Sequence, residues 1–322
     1  MMSRQRPRRV LVTGGTGFLG RHLVTLLLRE ECQVAVASNS PQAETPGLPV
    51  EDYLCDMRDS DSLSHIIKQT SPQVVFHLAG LARGDDLAEL LSVNVLGTKT
   101  LLDALRPLTE PPVVIIPGSA AEYGFPVDLR PVDESAALRP VSSYGVSKAA
   151  QSLLGQGYAL RGSVPVIIGR VFNILGPGEP ASMLCGAIAA QVAACEAGHQ
   201  PPVVRVGNLA PVRDYVDVRD AARALWLLAL DGVSGAIYNI CSGQSRRVED
   251  VVRQLLALSS EEISLWPDPE RQRPSDIPHC VGNPDRLHNA TGWISQFSLE
   301  ESLQATLTWW RNNHARIAAL AD

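Results

Sequence analysis

The sequence predicts an α/β protein, a doubly wound parallel sheet with a smaller, discontinuous C-terminal lobe. Three observations point there. Short runs that are apolar at nearly every position alternate with stretches of helical apolar spacing, as expected of strands covered on both faces by crossover helices. A glycine-rich turn, VTGGTGFLG, joins the first such strand to the first helix. After residue 172 the alternation gives way to a turn-rich segment and mixed short elements.

In chain order, RRVLVT (8–13) reads as the first strand and FLGRHLVTLLLREE (18–31) as the first helix. QVAVAS (33–38), VEDYLC (50–55) and PQVVFHLAG (72–80) are the next strands. LAELLSVNVLGTKTLLDALR (87–106) has the spacing of one long helix, PVVIIP is a strand running up to Ser119, and 143–160 is a second long helix. VPVIIGRV (164–171) closes the series. Beyond it lie the linker NILGPGEP, the helix in MLCGAIAAQVAACEAG, a further core strand in AIYNICSG (236–243), and a last amphipathic helix over about 299–317. The expected domains are 1–172 with 211–241 for a dinucleotide, and 173–210 with 242–322 as a substrate lobe over the sheet's carboxyl edge.

Bulk composition removes several function classes. The 322 residues are 45% hydrophobic and 19% charged, enough for a large core. A net charge of −6 argues against a dedicated nucleic-acid binder, and the one basic cluster, RQRPRR, is local and lacks the apolar region of a secretion signal. No apolar run is long enough to span a membrane. Cys32, Cys55, Cys185, Cys195, Cys241 and Cys280 show no C-x-x-C pair and no His at ligand spacing. They read as reduced, buried thiols of a cytoplasmic protein without a metal site.

The glycine turn carries the first chemistry. Gly14 permits a tight turn, Gly17 lets the backbone approach a pyrophosphate, and Gly20 allows close packing of helix on strand. The second strand ends Ala37-Ser38-Asn39-Ser40, with no carboxylate to grip a ribose 2′-OH. Hydroxyls and an amide can receive a 2′-phosphate, although no arginine stands beside them. The balance favours NADP(H) slightly over NAD(H). Asp56 is a candidate for the adenine amine; the alternative is an ordinary helix N-cap.

Tyr144 and Lys148 stand at i and i+4 in YGVSK, on one helix face. A free tyrosine has a pKa near 10; an adjacent ammonium and the positive nicotinamide favour the phenolate and bring it into working range. Ser119, at a strand's carboxyl end, can hydrogen-bond the same substrate oxygen. Tyr-x-x-x-Lys alone is common on helices; beside the glycine turn and the strand-end serine it reads as catalytic.

Together TGGTGFLG, HLAG, NVLGT, SAAEYG, YGVSK, RVFNILGPG and VRDYVDVRD resemble the extended short-chain dehydrogenase/reductase family, Rossmann proteins acting on nucleotide sugars. YNICSGQ, RPSDIP and RLHNATGW look most like its GDP-mannose branch, closest to the GDP-6-deoxy-D-mannose (4-keto) reductases. The resemblance implies that Ser119, Tyr144 and Lys148 are catalytic, with Tyr144 and Lys148 also touching the cofactor. It implies that Gly14, Gly17, Phe18, Leu19 and Gly20 hold the pyrophosphate. Ser38 lies at the adenosine ribose, Asp56 and Met57 flank the adenine, and Leu78, Ala79 and Gly80 line the groove. Asn173, Arg213 and Arg273 match positions contacting the substrate diphosphate, although salt bridges to Asp214 or Asp276 compete for each arginine. Relatives form homodimers through the two long helices, though core packing leaves the same apolar pattern there.

Relatives that remove water across C5 and C6 of the sugar keep an acid/base glutamate, often with an aspartate, directly after the Ser or Thr. Here those positions are Ala120 and Ala121, which cannot shuttle a proton. Glu122 comes one residue late and, on an extended chain, points to the other side. The expected reaction is reduction of a nucleotide-linked 4-keto-6-deoxy sugar. The alternatives are a 4-epimerase using tightly bound NAD, and a non-catalytic dinucleotide sensor.

Overall fold

The computed structural model describes residues 7–39, 48–126, 128–271 and 277–313. Seven strands form one parallel sheet: β1 (Arg9–Thr13), β2 (Gln33–Ser38), β3 (Glu51–Leu54), β4 (Val74–His77), β5 (Val113–Ser119), β6 (Val166–Val171) and β11 (Ile237–Ile240). Their order across the sheet is β11-β6-β5-β4-β1-β2-β3. The order reverses between β1 and β4, so a crevice opens there at the carboxyl ends, where open α/β sheets bind ligands.

Alternate residues of each strand feed opposite cores. Val10, Val12 and Phe76 pack under α1 (Phe18–Arg29) and α7 (Val218–Asp231). Leu11, Val75 and Ile116 pack under α2 (Ser60–Thr70), α4 (Gly97–Leu105) and α5 (Ser143–Leu160). This two-sided burial explains why the strands read as unbroken apolar runs.

The helix expected over 87–106 is interrupted. It opens as α3 (Leu87–Leu90), widens into a π-turn over Leu91–Leu96, and resumes as α4. The wide turn faces Asn94 inward at 1% exposure. There its Nδ2 donates to Leu81 O and Ser147 Oγ, and its Oδ1 accepts from Leu81 N–H. π-Turns of this kind mark places where a side chain is re-aimed at the cost of ladder geometry.

The second lobe is built on α6 (Leu184–Glu196), which is apolar around most of its circumference and is packed by α8 (Val248–Leu256) and α10 (Leu299–Arg311). Helix α10 stops at Arg311 rather than running to 317; residues beyond 313 lie outside the described set. Short strands complete the lobe: β7 (Asn173–Leu175) with β10 (Tyr215–Asp217), β8 (Val203–Val206) with β13 (Ser264–Pro267), and β9 (Val212–Arg213) between β12 (Arg246–Arg247) and β14 (His279–Cys280). Leu287 in α9 (Asp285–Thr291) and the following Trp293 join the core under α1 and α7.

The loop 177–179 ties the lobe to α1. Arg21 Nη2 donates to Gly178 O at 3.3 Å, His22 Nε2 to Pro177 O at 2.8 Å, and Trp310 Nε1 to Glu179 O at 3.2 Å. Burial pushes the pKa of the Glu179 carboxyl up to about 8, against the pull of the nearby Gly186, Cys185 and Gly176 N–H groups. Its Oε2 has no hydrogen-bond partner among the described residues. The unfolded chain releases this proton near the ordinary value of 4.5, whereas the folded protein holds it until about 8. Stability from this group is therefore full below the lower value and declines as pH rises through the window. In Glu179→Gln the melting temperature should fall less between pH 5 and 8 than in the native protein. Equal slopes would contradict this account.

Candidate active site

β1 delivers the chain into a turn that only glycine can make. Gly14 sits at φ +68°, and a Cβ on it would lie 2.6 Å from Ala79 N. A Cβ on Gly20 would lie 2.4 Å from Gly14 O, so α1 could not approach the turn. Helix α1 begins at Phe18 with Gly17 as its N-cap and no side-chain cap. Its first amides therefore serve the groove, as a pyrophosphate requires. Phe18 and Leu19 are half-buried at this end. Across the turn, Leu78 N–H donates to Thr13 O and Ala79 N–H to Thr13 Oγ1, setting Leu78 to Gly80 along the groove. The cradle fits a nicotinamide dinucleotide.

At the end of β2, Ser38 is nearly buried and its carbonyl accepts Cys55 N–H. Asp56 follows, but it caps no helix. Asp59 caps α2, accepting Asp61 and Ser62 N–H, while Asp56 is held by Arg58 through Nε at 2.9 Å and Nη2 at 2.6 Å. These hydrogen bonds bring the Asp56 carboxyl down to about 2. Met57 is buried against Gly97.

Ser119, Tyr144 and Lys148 converge because β5 ends where α5 begins. Ser142 caps α5, its Oγ accepting Gly145 N–H at 3.0 Å. Ser119 Oγ accepts Ala121 N–H at 3.1 Å and lies beside the Tyr144 hydroxyl. Burial raises the Tyr144 phenol above its ordinary value, and Ser119 opposes the rise. Lys148 Nζ donates to Pro117 O at 2.7 Å and to Gln151 Oε1. Burial brings the ammonium down to about 8, against the attraction of Glu122. Gln151 escaped the sequence reading; its only signal was its place three residues past Lys148 on one helix.

Glu122 departs from expectation. The chain after Ser119 is not extended but turns through a 3₁₀ segment, Ala120–Glu122, which folds Glu122 beneath the triad at 0% exposure. Its Oε1 accepts Ser119 N–H at 2.8 Å and Ser152 O–H at 3.0 Å, and its Oε2 accepts Arg170 Nε–H at 2.8 Å. Arg170 in turn lies 4.7 Å from the centre of the Tyr123 ring, whose hydroxyl donates to Asn239 Oδ1. The glutamate is thus bound into the scaffold, and Ala120 and Ala121 leave the two preceding positions without a titratable group.

Of the residues expected at a substrate diphosphate, Asn173 Nδ2 donates to Asp214 O, and Arg213 Nη1 to the carbonyls of Val212 and Ile277. The Asp214 carboxylate is occupied with Ser242, Gly243 and Gly282, joining three loops. Arg273 and Asp276 lie outside the described residues. Among the described residues no cluster of three or more His, Cys, Asp or Glu suits a metal ion, and no helix is long and apolar enough to cross a membrane.

The chain is similar to known proteins in sequence and fold. The chain is 32% identical to GDP-6-deoxy-D-mannose reductase of Pseudomonas aeruginosa, over 95% of this chain and 98% of that protein. It superposes on RMD from Pseudomonas aeruginosa complexed with NADPH at a TM-score of 0.83, with 30% identity, covering 95% of this chain and 99% of that one. The Thermus thermophilus UDP-glucose 4-epimerase complex with NAD gives 0.83 at 28% identity, covering 94% and 99%. The NAD dependent epimerase/dehydratase family matches residues 10–241, which include the glycine cradle, Ser119, Tyr144 and Lys148. The chain belongs to that family.

Proposed function

We propose that the protein reduces the 4-keto group of a nucleotide-linked 4-keto-6-deoxy sugar, of the GDP-4-keto-6-deoxy-mannose kind, using NAD(P)H. The observation that carries this reading is the likeness to GDP-6-deoxy-D-mannose reductase over nearly the whole of both chains. Gly14, Gly17, Phe18, Leu19 and Gly20 hold the dinucleotide pyrophosphate, with Ser38, Asp56, Met57 and Leu78 to Gly80 along its length. When bound, the reduced nicotinamide supplies a hydride to the carbonyl carbon. Ser119 donates its O–H to the carbonyl oxygen and polarises it. Tyr144 gives its proton to that oxygen as it gains charge. Lys148 holds the ribose and favours the phenolate that Tyr144 becomes. Asn173, Arg213 and Arg273 receive the substrate diphosphate.

The labour divides between 1–172 with 211–241 for the dinucleotide and 173–210 with 242–322 for the sugar nucleotide. Val146, Leu153 and Leu160, at 37%, 60% and 80% exposure, form an outward stripe on α5, suited to a two-fold partner. Six buried free thiols and a dinucleotide cofactor suit a cytoplasmic protein.

The test is chemical. The enzyme should consume one reduced cofactor per sugar reduced, and mass spectrometry should show no loss of water from GDP-mannose incubated with oxidised cofactor. A 4-epimer formed without net cofactor use would favour the epimerase, whose NAD complex superposes equally well. Loss of water would mean that another residue replaces the missing acid/base beside Ala120 and Ala121.

Cofactor choice rests on Ser38, and NADP(H) is favoured modestly. Ser38→Asp should shift the ratio of dissociation constants toward NAD(H), because a carboxylate accepts from the 2′-OH and repels a 2′-phosphate. Unchanged constants for both dinucleotides would show that Ser38 does not face the ribose.

A further inference from the structure

Behind Lys148 runs a chain of buried polar side chains that the reaction scheme leaves unused. Gln151, Thr98, His77 and Thr13 are at most 2% exposed. Thr98 Oγ1 donates to Asn94 O at 2.6 Å. Its single proton is then committed, so its oxygen can only accept. Gln151 approaches it with Nε2 at 2.7 Å and His77 with Nε2 at 2.9 Å. His77 therefore carries its proton on Nε2, and Nδ1 accepts from Thr13 O–H at 2.8 Å. Thr13 Oγ1 closes the chain by accepting Ala79 N–H. With Nε2 of Gln151 locked onto Thr98, Oε1 must face the ammonium of Lys148, which donates to it.

We propose that Gln151 is a positioning residue for Lys148: Thr98 fixes its amide in one orientation, and the amide oxygen holds the lysine in place and in its charged form. The proposal rests on the role given to Lys148 above. The surroundings explain why such a brace matters. Burial works against the ammonium, and of the titratable groups among the described residues only Glu122 attracts it. Tyr144 lies one turn away on the same helix, neutral in the reducing enzyme. His77 is neutral as well, held down to about 3 by burial and by Lys148. Apart from the charge of Glu122, the ammonium depends on two carbonyl acceptors, Pro117 O and Gln151 Oε1. A hydrogen bond to a charged group is worth more than a neutral one, and its loss favours the uncharged amine.

The experiment compares Gln151→Met, of similar length without an acceptor, with Gln151→Glu, which keeps an acceptor and adds charge. Profiles of kcat against pH are recorded on a 4-keto nucleotide sugar. Gln151→Met should lower kcat about ten-fold at neutral pH, since one such hydrogen bond is worth that factor, and move the alkaline limb to lower pH. Gln151→Glu, which restores the acceptor at Lys148 while giving up the donor to Thr98, should move that limb upward. If Gln151→Met leaves both kcat and the limb in place, even with a lower melting temperature, Gln151 is a core filler and the proposal fails. Should Gln151→Met not fold, Thr98→Val provides the second reading by unlocking the amide. A lower kcat with the same limb shift supports the proposal, and an unmoved profile overturns it. Lys148→Met separates the two levels. Normal turnover there overturns the role of Lys148 itself, whereas an inactive Lys148→Met beside a normal Gln151→Met overturns only the brace.

Discussion

Replacing Tyr144 by phenylalanine should lower kcat at least about 10²-fold, the usual scale of general acid catalysis, with cofactor affinity little changed. The ring stays, so the packing around α5 stays, and the substitution removes the hydroxyl beside Ser119. The pH dependence carries a sign. Reduction needs the phenol protonated and the ammonium charged, so activity should be lost as pH climbs through about 8, where Lys148 titrates. A loss on the acidic side would contradict this assignment. Steady-state kinetics with a fluorescence titration of the dinucleotide checks both halves, and near-normal turnover in Tyr144→Phe would remove the residue from the mechanism.

The second large effect concerns stability. Glu122→Ala should destabilise the protein by about 3–5 kcal/mol, the range for breaking a buried ion pair from one side. Arg170 is 3% exposed along its side chain, and its Nη1 has no hydrogen-bond partner among the described residues. Without the carboxylate it becomes an uncompensated buried cation, and Ser119 N–H and Ser152 O–H lose their acceptor. Replacing both members, as Glu122→Leu with Arg170→Met, should recover part of that loss, because the desolvated charge is gone while Ser119 N–H and Ser152 O–H still lack an acceptor. Urea unfolding of the three proteins gives the comparison. A single substitution costing less than about 1 kcal/mol, the worth of an exposed pair, would show that the pair is solvated.

Glu122 also shows where reading the chain stops. Strands buried on both faces and the glycine turn declare themselves through local pattern, and Tyr144 and Lys148 through helical spacing. Ser119 follows from the end of an apolar run. The direction of Glu122 depends instead on a reciprocal cap, in which its carboxylate binds Ser119 N–H while Ser119 Oγ binds Ala121 N–H. That cap converts an apparently extended segment into a turn. The π-turn around Asn94 is hidden for a related reason, since one wide turn hardly disturbs the apolar period. Thr13, His77, Thr98 and Gln151 look ordinary apart, and only the sheet and its crossover helices bring them into line. Spacing offers Asp56 as adenine ligand or cap; the bidentate Arg58 beside it is a third arrangement that spacing does not single out.

The position of β11 governs the order in which the protein becomes competent during synthesis. Strand β6 lies between β5 and β11, and every one of its six residues is buried. When the ribosome has delivered residue 172, the glycine cradle and the Ser119, Tyr144 and Lys148 positions are complete. Yet β6 still presents a bare apolar edge, the template for pairing with another chain. Its second neighbour arrives only after the whole of 173–236 has been made. With β11 comes Asn239, whose Oδ1 receives the Tyr123 hydroxyl and whose Nδ2 donates to Val132 O, so the turn after Ser119 gains its outer support at the same moment. The nascent first half is thus a hazard rather than a free-standing enzyme, and the long excursion through the second lobe sets how long that hazard lasts.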